Sequence, residues 1–219
     1  MLMTGNDIRE ARDAGELSIK NFDERYIQPA SYDMRLGEEA ITSSRREKLN
    51  PAEKGLLTIS PGDFALVTTH EAVTLPTTIA GHIGLRSAYA KKGLVLLSGP
   101  QIDPGFNGVL VIGLSNLSPR DVVIPYKTPF CTIEFYRLET AATMSYCGEY
   151  QDQSGISASD MQNLVEAQGM TFGQIITSLQ ELSQNVKSLS DSVKILKWSF
   201  PTMLAFAIAV IAVLIAFVK

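Results

Sequence analysis

The segment Ile102-Asp103-Pro104-Gly105-Phe106-Asn107-Gly108 sets a carboxylate and an aromatic ring on one tight turn, with apolar runs on both sides. Two glycines and a proline force the chain to reverse there. Such a turn is either an ordinary Asp-Pro-Gly connection or a site in which a sugar lies against Phe106 while Asp103 orients a hydroxyl or a water. Arg86-Ser87-Ala88-Tyr89-Ala90-Lys91-Lys92-Gly93 gathers cations and a hydroxyl in eight residues. Charge-assisted bonds from these groups suit phosphate oxygens; a solvated basic edge is the plain alternative. Asp33, in Ser31-Tyr32-Asp33-Met34-Arg35-Leu36-Gly37, is a candidate ligand to a phosphate-bound metal or the partner of Arg35, and local sequence favours the pair. His70 and His82 lack the spacing and neighbours of metal ligands and are expected to be structural. A zinc-type nucleotide deaminase is excluded, because its His-x-Glu and Pro-Cys-x-x-Cys pattern is missing.

Turns of this kind need strands to hold them. Phe64-Ala65-Leu66-Val67, Leu94-Val95-Leu96-Leu97, Val109-Leu110-Val111-Ile112 and Val122-Val123-Ile124 are short and rich in branched residues, with Pro-Gly, Asp-Pro-Gly or Ser-Pro between them. This punctuation predicts an all-β sandwich, jelly roll or barrel. One helix is expected before it, over Asn6–Ala14, where Gly15 stops the turn.

The remainder of the chain is different in kind. Phe172, Ile175, Leu179, Leu182, Val186, Leu189, Val193 and Leu196 recur at alternating spacings of three and four, the a/d seam of a coiled coil. Val186 and Val193 at a with leucines at d lean toward two strands, whereas Phe172 and Leu179 leave the strand number open. From Phe200 to Val218 no residue is charged. A helix of that length, roughly 28 Å, matches a hydrocarbon core of about 30 Å. It is read as a C-terminal tail anchor, with Lys187, Lys194 and Lys197 keeping the head in the cytoplasm; a buried helix is the alternative. The expected division is a head at 1–155, a linker at 156–170, a stalk at 171–198 and an anchor at 199–219. A net charge of −4 argues against a nucleic-acid partner. Cys131 and Cys147 have no companions at metal-ligand spacing, which fits a reducing compartment.

Taken in order, the head motifs resemble one family. Asp7-Ile8, Ile27-Gln28-Pro29-Ala30-Ser31-Tyr32-Asp33-Met34-Arg35-Leu36-Gly37, Pro61-Gly62-Asp63-Phe64, Leu85-Arg86-Ser87 with Lys91 and Gly93, and the Asp103 turn are similar to the dCTP deaminase/dUTPase superfamily in order and spacing. The resemblance implies a distorted jelly-roll β fold and a homotrimer with pyrimidine deoxynucleoside triphosphate sites at subunit interfaces. A trimeric stalk would suit such a head. By resemblance, Arg86, Ser87 and Lys91 contact the triphosphate, Asp103 sits near the sugar or attacked water, and Phe106 packs on deoxyribose. Tyr150 and Gln153 are further nucleotide contacts, and magnesium accompanies the triphosphate, with Asp33 reaching it indirectly.

Three positions depart from the family pattern. Family deaminases carry a glutamate ten residues after the turn aspartate, which activates the water attacking C4 of cytosine; here that position is Gly113. Losing a positioned general base costs about 10²–10⁴-fold or more. Glu149 replaces a lysine aimed at phosphate, and Thr132 stands where glutamine is frequent. Three functions remain open: hydrolysis of dUTP or dCTP to the monophosphate and pyrophosphate with Asp103 as the catalytic group, nucleotide sensing without turnover, and a trimeric scaffold.

Overall fold

The structure, a computed structural model, describes residues 1–45, 47–166 and 172–218. Two compact units divide the chain, Met1–Gly173 and Gln174–Lys219.

The first unit opens with α1 (Gly5–Asp13), one residue earlier than the apolar spacing suggests, because Thr4 and Asp7 form a reciprocal capping box. Then follow β1 (Ser18–Lys20), a 3-10 turn (Glu24–Tyr26), β2 (Ile27–Gln28), β3 (Ser31–Thr42), α2 (Pro51–Lys54), β4 (Leu56–Ile59), β5 (Phe64–Thr74) and β6 (Ile79–Leu85). After α3 (Ser87–Ala90) come β7 (Leu94–Leu96), β8 (Gln101–Ile102), β9 (Asn107–Asn116), β10 (Val122–Pro125), β11 (Pro129–Arg137) and α4 (Ala158–Glu166). The all-β expectation holds for the head. Nine strands form an antiparallel sheet in the order β7-β9-β5-β3-β11-β6-β8, with β1 on β5 and β2 on β3, and β10 pairs with β4. Tyr32, Met34, Leu36, Ile79, Phe130 and Phe135 are fully buried at its centre.

Strand β5 runs well past the apolar stretch at 64–67, through Thr68, Thr69, His70 and Glu71. Polar residues are tolerated there because each buried one finds a partner. Thr69 Oγ1 accepts from Leu110 N at 3.0 Å and donates to Glu71 O at 2.7 Å. Glu71, fully buried, accepts from Arg35 Nε at 2.5 Å and from Arg35 N at 2.8 Å. The same guanidinium donates to Asn21 O and lies 4.7 Å from the centre of the Tyr26 ring. Burial opposes the charge on Arg35, but the Glu71 carboxylate overrides it and holds the guanidinium pKa above its ordinary value. Glu71 lies within the stretch where the β5–β9 ladder slips, between Thr68 and Ala72, and Arg35 directly precedes the slip of the β3–β5 ladder between Leu36 and Ala40.

The second unit lies within α5 (Phe172–Val218), on which Leu179, Leu182, Val186, Leu189, Val193 and Leu196 are exposed; the side chains of Phe172 and Ile175 lie outside the described residues. The membrane expectation is overturned. Among the described residues no helix is long and apolar enough to cross a membrane, for which about 20 consecutive apolar residues are needed. Of the run 200–218 only the side chains of Phe200, Pro201 and Ile208 are described, and the others lie outside the described residues. The tail anchor, the membrane partner and the cytoplasmic orientation that rested on it fall together.

Removing one member of a buried ion pair strands the other charge, at a cost of about 3–5 kcal/mol. Glu71→Ala is therefore expected to destabilise the head by that amount, measured as a lowered urea midpoint with an unchanged slope.

Candidate functional site

Strand β8 ends and β9 begins on either side of the Asp103 turn, which closes through Phe106 N donating to Asp103 O at 3.2 Å. A C-terminal strap lies along this turn. Tyr146 N donates to Pro104 O at 2.8 Å, Asp152 N to Asn107 O at 2.8 Å and Val109 N to Gln153 O at 2.8 Å. Side chains add to it: Gln151 Nε2 donates to Gly105 O at 3.1 Å and Asn107 Nδ2 to Asp152 Oδ1 at 2.6 Å. The approach is so close that a Cβ on Gly108 would lie 2.7 Å from Gln153 O and 2.8 Å from Gln153 N, and Gly108 has φ +146°. Only glycine satisfies both conditions.

Turn and strap together wall a cavity of about 420 Å³. Asp103 is exposed on its wall, and its Oδ1 accepts from Gln101 Nε2 at 2.6 Å. Phe106 also lines it but is only 6% exposed, its ring 5.8 Å from that of Tyr146, so it offers little face for stacking. Tyr150 and Gln153 reach the cavity from the strap. Sequence reasoning missed Gln101, Ser98 and Asp160 on the same wall. The spacing of Gln101 to Asp103 on one strand end was a signal for the first; nothing local pointed to Asp160, which arrives on α4.

Gly113 lies on β9, and its N–H donates to Ser98 Oγ at 2.6 Å. A Cβ there would meet the Phe64 ring at 3.2 and 3.3 Å, with Ser98 Oγ next at 3.5 Å. No carboxylate is among these neighbours. Asp160 is already engaged, its Oδ2 accepting from Ser157 N at 2.9 Å and Ser157 Oγ at 2.7 Å. Glu134 accepts from Tyr136 Oη at 2.7 Å on β11.

The cationic cluster forms a second group, outside that cavity's lining. Arg86 is the N-cap residue of α3, Ser87 opens the helix and Lys91 closes it. Asp33 belongs here, not with Arg35 as its sequence neighbourhood suggests: Arg86 Nε stands 3.4 Å from Asp33 Oδ2, while Arg35 is taken by Glu71. β3 and β6 flank β11 in the sheet, which brings the distant Asp33 and Arg86 together. Burial pushes the Asp33 carboxyl above its ordinary 3.8, against the opposing pull of Arg86 and a hydrogen bond from Thr132. Among the described residues no group of three or more His, Cys, Asp or Glu is arranged to hold a metal ion by itself. The chemistry of Asp33, Arg86, Ser87 and Lys91 fits a metal brought with a polyphosphate better than a resident one.

The family model described as dCTP deaminase-like matches residues 2–138. The chain belongs to the dCTP deaminase-like family. It is 36% identical over 159 residues to a dCTP deaminase of Thermococcus sibiricus, covering 73% of this chain and 97% of that protein. A dCTP deaminase of Pyrococcus abyssi is 40% identical over 136 residues, covering 62% and 86%. Among solved structures, a 2′-deoxycytidine 5′-triphosphate deaminase from Agrobacterium tumefaciens superposes with a TM-score of 0.50 at 19% identity, covering 61% of this chain and 46% of that one. That likeness supports the β fold. The C-terminal residues after 138 fall outside the family match, and they include the strap and α4.

Two outcomes follow for this dCTP deaminase-like chain. Gly108→Ala strains the backbone by about 1–3 kcal/mol and forces the strap away, so limited proteolysis should cut within 146–157 while the β core stays folded. For Asp33, a folded pKa above the unfolded one means its contribution to stability is full below the ordinary 3.8 and is lost as pH rises through the raised value. Asp33→Asn removes that part of the pH dependence, read as a larger wild-type-minus-variant difference in urea midpoint at about pH 4 than at about pH 7.

Proposed function

We propose that the head handles pyrimidine deoxynucleoside triphosphates and hydrolyses dUTP or dCTP to the monophosphate and pyrophosphate. The observation that carries this reading is the pairing of an exposed acid at Asp103 with a base-side position, Gly113, that has no proton carrier and is packed by Phe64. Asp103 would take a proton from a water as its oxygen attacks the α-phosphorus; the bond to the bridging oxygen breaks and pyrophosphate leaves. Arg86, Ser87 and Lys91 would hold the phosphates through charge-assisted bonds. Magnesium would arrive with the triphosphate, neutralise part of its charge, and be met indirectly by Asp33. Deamination of cytosine would need a general base where glycine stands. Tyr150 and Gln153 would close on the nucleoside.

A homotrimer is part of this proposal, because the acid and the cations do not line a common cavity in one chain. A neighbouring copy would bring them together. Exposed Val95, Leu97 and Leu117 beside edge strand β7 supply apolar surface for it. The exposed seam on α5 would pair with its copies as a stalk over 171–198, leaving 1–155 as the head and 156–170 as the linker. A second reading, sensing without turnover, is favoured by Glu149, which by resemblance stands in place of a phosphate-directed lysine and whose Oε1 accepts from Ser159 Oγ at 3.2 Å.

Purified full-length protein incubated with dUTP or dCTP and magnesium is expected to release pyrophosphate and no ammonia. Saturable binding without product selects sensing; ammonia from dCTP would overturn the role given to Gly113. Asp103→Asn should lower turnover by about 10²–10⁴-fold with sedimentation unchanged; a variant that retains its rate removes Asp103 from the mechanism.

A further inference from the structure

The cavity beside the Asp103 turn is lined by two carboxylates, Asp103 and Asp160, and by no lysine, arginine or histidine among the described residues. Such a wall repels phosphate and suits the part of a ligand that offers N–H or O–H donors. Asp103 has its place in the reading above. Asp160 has none.

Two sets of contacts fix Asp160. Ile156 and Met161, on either side of it in sequence, pack with Ile41, Phe64, Leu66 and Val111 in an apolar cluster apart from the main core. Leu66 stands opposite Gly113 in the β5–β9 ladder, and Leu66 and Val111 also line the cavity, so α4 is held at the Gly113 end. The carboxylate itself is oriented by Ser157: Oδ2 accepts from Ser157 N at 2.9 Å and from Ser157 Oγ at 2.7 Å, and Asp160 N returns a bond to Ser157 Oγ at 3.0 Å. Oδ1 takes no hydrogen bond among the described residues. Its charge is nevertheless felt across the lining, where burial, then the Glu149 and Asp160 carboxylates, push the Tyr150 phenol above its ordinary value. A carboxylate with one oxygen held and the other open is a fixed acceptor. Ser98 Oγ, on the same lining, accepts from Gly113 N at 2.6 Å, which leaves its O–H to donate. The Gly113 end thus offers one acceptor and one hydroxyl donor.

Cytosine has the complementary pair, an exocyclic amine with two hydrogens at the ring corner and a ring nitrogen acceptor beside it. Uracil has a keto oxygen at that corner, and its edge N–H stands between two keto oxygens, both of which repel a carboxylate. We infer that Asp160 is a specificity-determining residue whose Oδ1 accepts from the exocyclic amine of a cytosine nucleotide. The inference rests on the nucleotide reading above and selects between the two substrates that reading leaves open, dCTP over dUTP.

The test uses the full-length protein, magnesium and the non-hydrolysable α,β-imido analogues of dCTP and dUTP, with a third analogue whose pyrimidinone ring lacks the exocyclic amine. A hydrogen bond to a charged group is worth about 10–100-fold in affinity, so calorimetry should show the wild type binding the dCTP analogue tighter than the other two by that factor. Asp160→Ala should bring the three affinities together. Asp160→Asn should reverse the order of dCTP and dUTP, because Ser157 keeps the amide oxygen and the NH2 then faces the keto oxygen of uracil. Ser157→Ala, which loosens α4 but retains the acceptor, should weaken all three alike. The same uniform loss in Asp160→Ala overturns the assignment, as does a wild type indifferent to the missing amine; that wild-type comparison decides alone if the Asp160 variants do not fold. Saturable binding of none of the analogues overturns the nucleotide reading itself, and the inference with it.

Discussion

The contact of backbone on backbone at Gly108 is the constraint on which the rest of the candidate site depends. Strand β9 starts there, the strap crosses there, and neither has room for a side chain between them. The strap is pinned by main-chain bonds and by the side chains of Gln151 and Asp152 on either side of them, and this delivers Tyr150 and Gln153 to the cavity. The chain then continues into Ile156 and α4, whose place over Leu66 and Val111 is a consequence of where the strap ends. A turn that looks like a simple reversal is thus the point at which the two halves of the cavity wall are joined.

Around Gly113 the neighbours are the Phe64 ring and the Ser98 hydroxyl, with no carboxylate among them. Phe64 lies where a side chain at residue 113 would have to go, so a glutamate introduced there would need the ring to move as well as a carboxylate to be supplied. The relatives from Thermococcus sibiricus and Pyrococcus abyssi bear the name of deaminases; on the reading proposed above, residue 113 of this chain has no side chain to carry the proton that such chemistry needs.

Much of the head was legible in the sequence. Branched runs and Pro-Gly punctuation gave β10 nearly in full and the centre of β9, 109–112 of a strand that spans Asn107–Asn116, and the order of motifs gave the family. The longer reach of β5 was hidden, because buried Thr69 and Glu71 read as surface until their partners, Leu110 N and Arg35, are seen. Asp33 was matched to its neighbour in sequence, whereas sheet order gives it Arg86, fifty-three positions away. Asp160 could not be found locally, since nothing in a Ser-x-Ser-Asp helix start says which surface the helix will meet. The apolar C-terminal run suggested a membrane span that the described residues do not support.

The separation of Asp103 from the Arg86 cluster within one chain has a genetic consequence in an assembly of the proposed kind. On that reading each copy gives its cations to one site and its acid to another, so a copy lacking both spoils two sites in a ring of three and a copy lacking one spoils only one. Mixed populations containing doubly defective chains would then lose function faster than the proportion of defective copies, whereas two differently damaged chains would between them restore some intact sites.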